Sequence, residues 1–443
     1  MLTDRAPDTV LDEPTTTAPA PRPGGSRPRA GHREAALFRL AIAVIAVHVI
    51  DDNYLQPQPG TSAGDHLVSG LVPLAVLGLA AWAYPRLTGG GLRGAMALGF
   101  GLLGIAAGFE AVHYTNTVGA SGDDFTGLLC IPAGLMLLGL GAVTLWRTRR
   151  IEGNRAWRYA RRVLLAAAGV VVTYTVVIAI GLGYVTTHVG RAVVPADQLG
   201  VAHENVSFTT SDGLKLEGWY IPSRNGAAVI SFPGRKGPQK QARMLARHGY
   251  GVLLYDRRGE GKSDGEPNSW GWGGGKDIDA GIAFLQRRPD VKQGRIGGIG
   301  LSVGGEMMLD AAADNDALKA VVSEGAGARM FTEEMDMDMT SAEKALNAPP
   351  AWFKQASIAV FSNQSPPTNL KDLVPKIAPR AMFLIAAPNA PTGEDLNRGY
   401  YKAAGEPKTL WEIPESKHVG GLSARPAEYE RRVTRFFDDA LLR

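Results

Sequence analysis

Apolar residues fall into two different rhythms along the chain. From about residue 36 to 187 they form long, nearly uncharged runs: Ala36–Ile50, Leu67–Tyr84, Leu92–Val112, Phe125–Trp146 and Val163–Thr187. About 20 apolar residues carry a helix across the hydrocarbon of a bilayer. Four of the runs reach or approach that length, and Ala36–Ile50 is the shortest. They are apolar around their whole circumference rather than along one stripe, which predicts membrane-spanning helices over a soluble bundle. Their many Gly and Ala residues suit close helix packing in lipid. From Asn205 onward the rhythm changes to short strands separated by amphipathic segments. Strands are predicted at Val206–Thr210, Leu214–Ile221, Ala227–Phe232, Gly251–Tyr255, Arg295–Ile299, Ala320–Val322, Ala381–Ala386 and Thr409–Ile413. Helices are predicted at Gln239–His248, Gly275–Arg287, Gly304–Ala313, Leu396–Ala404 and Pro426–Leu442. Several of the strands are continuous apolar runs, as expected of parallel strands covered on both faces. Two opening strands followed by βαβ repeats predict a doubly wound α/β sheet with an antiparallel start.

The predicted organisation is therefore a disordered basic tail (1–35), a transmembrane helical domain of about five spans (36–190) and an α/β domain (200–443). A cap segment at about 327–375 interrupts the α/β alternation. The tail is rich in Pro, Thr, Ala and Arg and has no apolar periodicity. It also lacks a compact apolar stretch with a cleavage site, so no cleaved leader is expected.

Charge in the connections sets the expected orientation, because short loops rich in Lys and Arg stay cytoplasmic. The tail carries Arg22, Arg27, Arg29 and Arg33; the third connection is flanked by Arg86 and Arg93; the fifth carries Arg147, Arg149, Arg155, Arg158, Arg161 and Arg162. The second and fourth have no Lys or Arg but carry Asp51, Asp52, Asp65, Asp123 and Asp124. This predicts a multi-pass protein of the cell (plasma) membrane, with its N-terminus in the cytoplasm and the α/β domain outside. His48, Asp51, Asp52, His66, Glu110, His113, Asp123 and Asp124 then all fall at the outer ends of spans. Their spacing matches no metal motif; interfacial polarity is the expected reading, with a metal site or a docking surface for the α/β domain as alternatives.

Composition adds exclusions. The 443 residues carry 47 Lys+Arg against 43 Asp+Glu, with 45% hydrophobic and 20% charged residues, so the chain is not disordered throughout. A single cysteine excludes an internal disulfide framework and any multi-cysteine metal site. The Gly271–Lys276 stretch lacks the spacing of a phosphate-binding loop and reads as a loop leading into a helix. No nucleic-acid site and no metal or organic cofactor is expected; the oligomeric state is not encoded legibly.

The chemistry is carried by Gly300-Leu301-Ser302-Val303-Gly304, placed between a strand and a helix. A serine on such a turn is held clear of the sheet beside a helix N-terminus that favours developing negative charge. His418 follows the last strand and precedes the terminal helix, where a general base is required. The other two histidines of this half, His203 and His248, are unsuitably placed. The amide of Val303 is the expected first oxyanion donor. Arg235, in the loop Phe232-Pro233-Gly234-Arg235-Lys236-Gly237, is expected to give the second.

These residues resemble the α/β-hydrolase superfamily over roughly residues 200–443. Gly249–Gly265 resembles its fourth strand and following loop. Phe284–Val291 is similar to members close to serine aminopeptidases, dienelactone hydrolases and acyl-thioesterases. The fusion to an integral-membrane half resembles bacterial membrane hydrolases. The resemblance implies a serine esterase, lipase or thioesterase acting on an ester or thioester, with the bilayer as partner and a small-molecule or lipid ester as substrate. An acyltransferase or peptidase using the same site is the alternative. Two departures stand out. The family's His-Gly after the third strand is Pro233-Gly234. Its usual acid position is held by Asn389, which leaves Glu394, Glu324 and Asp395 as alternative acids, in that order. A chain lacking the acid would be a degenerate binding or signalling module. Met330, Phe331, Met335, Met337, Met339, Trp352, Phe353 and Phe361 in the cap suit an apolar acyl pocket.

Overall fold

The computed structural model describes residues 30–119, 122–149, 154–191, 194–390 and 392–443. The expected tail, 1–35, lies outside them except at its end, where helix α1 (His32–Ile50) has already begun. Helices α2 (Leu67–Ala83), α3 (Gly90–Val118), α4 (Asp124–Arg147) and α5 (Arg155–Val172) follow. Helix α5 runs on through a π-turn, Thr173–Ile178, into α6 (Ala179–Thr187).

Four segments are long and apolar enough to cross a membrane among the described residues: Ala63–Arg86, Gly90–His113, Asp124–Arg147 and Arg155–Thr187. The expected number was about five, and the helix that falls short is α1. Its 19 residues give a length of about 28 Å, but it carries Arg33, Glu34 and Arg39. It still belongs to the bundle, burying Phe38, Ala41, Ile42 and Ile45. Helices α3 and α4 approach through facing glycines spaced by one heptad. A Cβ on Gly134 would lie 2.7 Å from the carbonyl oxygen of Gly101, and one on Gly141 would lie 2.8 Å from that of Gly94. Small residues that let backbones touch are how helices associate when lipid is as apolar as leucine. Much of the outward surface is correspondingly apolar: Leu71, Leu79, Phe109, Leu129, Val163 and Val170 are all exposed.

The two ends of the bundle differ in charge. At one end Glu34, Tyr84 and Arg93 meet, with Arg93 Nε 2.9 Å and the Tyr84 hydroxyl 3.1 Å from the Glu34 carboxylate. Trp82 and Trp146 stack under Arg86 and Arg149 there. The other end carries His48, Asp51, Asp52 and His66 and meets the α/β half. The cap residue Asn363 accepts the amides of Val68 and Ser69, each at 3.0 Å, supplying an acceptor to the otherwise open first turn of α2. His66 pairs with Glu266 at 2.7 Å, and the Gly265 amide donates to the Pro59 carbonyl.

The α/β half is an eight-stranded sheet: β1 (Glu204–Thr209), β2 (Lys215–Ile221), β3 (Ala228–Phe232), β4 (Gly251–Tyr255), β5 (Ile296–Leu301), β6 (Leu318–Glu324), β7 (Ala381–Ala386) and β8 (Lys408–Glu412). Their spatial order is β1-β2-β4-β3-β5-β6-β7-β8. The β1–β2 and β2–β4 pairs are antiparallel and all others parallel. Strands β3, β4 and β5 are buried throughout, which is why they read as unbroken apolar runs. Helix α7 (Gln239–Arg247) covers one face of the sheet, and α8 (Gly275–Gln286) with α9 (Val303–Asp314) covers the other. Between β6 and β7 stand the cap helices α10 (Phe331–Asp336), α11 (Ser341–Ser362) and α12 (Leu370–Leu373). A capping box of Thr340 and Glu343 starts α11, and Asn363, in the left-handed region at φ 50°, ends it. Helix α13 (Asn397–Ala403) leads into β8; α14 (Gly421–Ala424) and α15 (Pro426–Phe437) complete the chain, with α15 on the face of α7.

Candidate active site

In an open parallel sheet, the site lies beyond the carboxyl ends of the central strands. Strand β5 is central, flanked by β3 and β6, and Ser302 follows it directly. Ser302 has φ 53° and ψ −128°, a conformation that a side chain disfavours. The close packing of its neighbours imposes it. A Cβ on Gly300 would lie 2.1 Å from the carbonyl oxygen of Gly304, and one on Gly304 would lie 2.5 Å from the nitrogen of Pro233. Helix α9 therefore starts hard against both its own strand and the loop after β3, and Ser302 is turned outward.

His418 comes from the loop after β8. Its Nε2 lies 2.8 Å from Ser302 Oγ and its Nδ1 lies 2.7 Å from Glu394 Oε1. Glu394 is 1% exposed. It is held by the Ala387 amide on Oε2 at 2.6 Å and by the Thr392 hydroxyl on Oε1 at 3.1 Å. The Glu394 hydrogen bond holds the His418 imidazolium pKa above its ordinary 6.5.

The other carboxylates expected as alternatives are elsewhere. Glu324, at the end of β6, is buried and accepts the Gly421 amide at 2.8 Å and the Tyr429 hydroxyl at 2.6 Å, tying α14 and α15 to the sheet. Burial raises its pKa. Asp395 accepts the Asp338 amide at 3.0 Å, in the cap. Asn389 is exposed and donates to the Pro414 carbonyl. The structure thus brings Ser302, His418 and Glu394 together and leaves Glu324, Asp395 and Asn389 out.

Val303 opens α9, so its N–H is among the helix-start amides that lack an intrahelical acceptor. Arg235 departs from expectation. Its amide donates to Asp256 Oδ1 at 3.2 Å and its guanidinium pairs with the same carboxylate. Both groups are buried, and an unpaired buried charge is costly, so Asp256 draws the whole residue inward. The guanidinium charge is neutralised there.

A cavity of about 650 Å³ opens at Ser302 and His418. Its cap wall holds Met335, Met337 and Met339. Sequence reasoning missed three features of it. Glu306, four residues after Ser302 and so on the same face of α9, lines it and accepts the Gly327 amide; burial raises its carboxyl pKa. Trp270 lines it with Lys354, whose ammonium lies 4.6 Å from the indole centroid. The last bundle helix also lines it, through Tyr174, Ile178, Leu182 and Thr186.

Sheet order, elbow and loop placement decide the fold. The C-terminal half has the α/β-hydrolase fold. Consistent with that, the family model described as X-Pro dipeptidyl-peptidase (S15 family) matches residues 196–373, ending before Glu394 and His418. Polyketide transferase grgF of Penicillium sp is 37% identical over 134 residues, 27% of this chain and 43% of that protein. Protein YfhR of Escherichia coli is 27% identical over 262 residues, 54% of this chain and 81% of that protein. Among solved structures, the Pyrococcus furiosus esterase Pf2001 is similar at a TM-score of 0.48 and 22% identity, over 58% of this chain and 99% of the esterase. None of these matches reaches two thirds of the present chain.

The His/Asp/Glu group at the bundle end lies along the seam with the α/β half. His188 lies 3.8 Å from Asp52, and Asp51 accepts the Thr126 hydroxyl, which also reaches His48. No group of three or more His, Cys, Asp or Glu suited to a metal occurs among the described residues.

Proposed function

We propose that the chain is a membrane-anchored serine hydrolase that cleaves a carboxylic ester or thioester through an acyl-enzyme. The observation that carries this reading is the continuous relay Glu394–His418–Ser302, with links of 2.7 and 2.8 Å. His418 takes the hydroxyl proton as Ser302 Oγ bonds to the acyl carbon. The Val303 amide stabilises the oxyanion. The acyl–oxygen or acyl–sulfur bond breaks, and the leaving group departs with the proton from His418. Water, deprotonated by His418, then attacks the acyl carbon and returns free acid and Ser302. Glu394 stabilises the imidazolium at each step and fixes its tautomer. Arg235 serves as a second oxyanion donor only if its amide exchanges Asp256 for the substrate. Glu394, buried and hydrogen-bonded to His418, argues against the degenerate binding module that Asn389 suggested.

The helical half anchors the enzyme, with four segments of spanning length. The arginines gather at the end remote from the hydrolase, beside exposed Trp82, Trp146 and Trp157. That distribution supports a cytoplasmic N-terminus and an extracytoplasmic hydrolase. Transfer of the acyl group to an acceptor other than water is the second reading, favoured by the likeness to a protein named a polyketide transferase.

The test is turnover of p-nitrophenyl esters by the purified full-length protein beside Ser302→Ala, together with fluorophosphonate labelling. Wild type is expected to label and turn over, with Ser302→Ala slower by at least ~10⁴-fold. A folded wild type that neither labels nor outpaces Ser302→Ala overturns the reading.

A further inference from the structure

We infer that the substrate is a long-chain ester resident in the bilayer, and that the last spanning helix itself forms one wall of the groove that holds its chain. The inference rests on the serine-hydrolase reading above and specifies its substrate. Tyr174, Ile178, Leu182 and Thr186 recur every four residues, a single stripe about 18 Å long at helical rise. All four line the cavity that contains Ser302 and His418. The stripe belongs to Arg155–Thr187, the segment with the highest mean hydropathy of the four candidate spans, 2.5. The groove is therefore continuous with a surface that itself belongs in hydrocarbon.

The wall is fixed in place. Tyr174 donates to Asn347 of α11 at 3.1 Å, and Thr186 accepts both the Ser269 amide at 2.9 Å and the Trp270 indole at 3.0 Å. Between these contacts α11 and α6 touch directly: a Cβ on Gly183 would lie 1.8 Å from Ser357 Oγ. The cavity is not sealed from the helix surface. Ile178 and Leu182 line it while remaining 49% and 50% exposed. On α11, Leu346 and Trp352 are 62% and 53% exposed. In a soluble enzyme such a flank would be a liability. Beside a bilayer it lets a chain slide sideways out of the leaflet, its carbonyl arriving at Ser302 without crossing water. The flexible methionines opposite adapt to chains of different shape.

The experiment measures chain-length preference in the full-length protein held in phospholipid nanodiscs. Ile178→Trp and Leu182→Trp fill the membrane-helix wall. Each is expected to lower the ratio of kcat/KM for p-nitrophenyl palmitate over p-nitrophenyl butyrate on the order of tenfold or more. A ratio equal to wild type in both variants overturns the inference. A palmitoyl-length fluorophosphonate with a diazirine at its chain end gives a readout independent of the variants. After attachment at Ser302 and illumination, the cross-linked peptide is expected to contain residues 174–186. Cross-links confined to other segments overturn the inference. Failure of the underlying reading looks different, because then neither ester is turned over faster than by Ser302→Ala and the probe does not attach.

Discussion

Glu394, the proposed triad acid, illustrates how little separates such a group from a structural carboxylate. Glu324 is also buried, near His418 and hydrogen-bonded, but its two donors, Gly421 N–H and Tyr429 O–H, belong to the C-terminal helices. Glu394→Gln is expected to lower kcat by ~10⁴-fold, as when a triad acid loses its charge. Glu324→Gln is expected instead to cost about 1–3 kcal/mol of stability, with kcat of the folded fraction near wild type. Esterase assays and thermal unfolding on the same samples separate the two. The pH dependence carries a second signature. The base must be neutral, so activity falls as pH drops through the His418 pKa, which the Glu394 bond raises above 6.5. Removing the carboxylate charge moves that acid limb to lower pH even as the rate collapses. An acid limb unmoved in Glu394→Gln would mean that another group sets it. In the sequence, Ser302 and His418 were legible because each sits at a fixed station of the chain, one between strand and helix and one after the last strand. The acid was ranked first among three but not resolved, because Asn389 holds the usual position. The choice depended on a turn at Gly393 (φ 77°), which swings Glu394 inward and leaves Asp395 for the cap.

At the level of elements, the elbow trades backbone comfort for exposure of Oγ. A non-glycine residue held at φ 53° costs about 1–3 kcal/mol. Ser302→Gly is therefore expected to unfold at a higher temperature than wild type while losing turnover, whereas Ser302→Ala keeps the strain and gains nothing. A lower unfolding temperature for Ser302→Gly would show that the hydroxyl contributes more than the strain removes. Gly300→Ala is the opposite case. Its methyl would meet the Gly304 carbonyl at 2.1 Å, backbone against backbone, and the expected loss is at least about 3 kcal/mol. All eight strands were legible, and β3, β4 and β5 most plainly, since burial on both faces leaves them as apolar runs with no polar alternation. Their ends were less so. Strand β6 runs Leu318–Glu324 rather than Ala320–Val322, because Lys319, Ser323 and Glu324 look like loop residues until the partner strands are known. The cap was legible, but not the docking of α11 on the bundle: Ser357 and the C-cap residue Asn363 matter only through Gly183, Val68 and Ser69, far away in sequence.

The whole molecule is organised by the seam between bundle and hydrolase. Acidic and histidine-bearing loops meet the hydrolase, and arginines with exposed tryptophans occupy the opposite end. The sequence disclosed this asymmetry as alternating loop charge and put the α/β domain on the acidic side, but not that the last bundle helix would line the cavity at Ser302. The orientation is open to a direct test, because the chain's one cysteine, Cys130, is buried in α4 and gives little background. Asp316→Cys places a thiol on the hydrolase where the native side chain is 93% exposed; Thr148→Cys places one at the arginine-rich end. In intact cells a membrane-impermeant maleimide is expected to label the first and spare the second until the membrane is opened. The reverse pattern would put the hydrolase in the cytoplasm and require seven or more arginines to face outward against the usual bias. Even then α6 would still wall the cavity, and only the leaflet that supplies the ester would change.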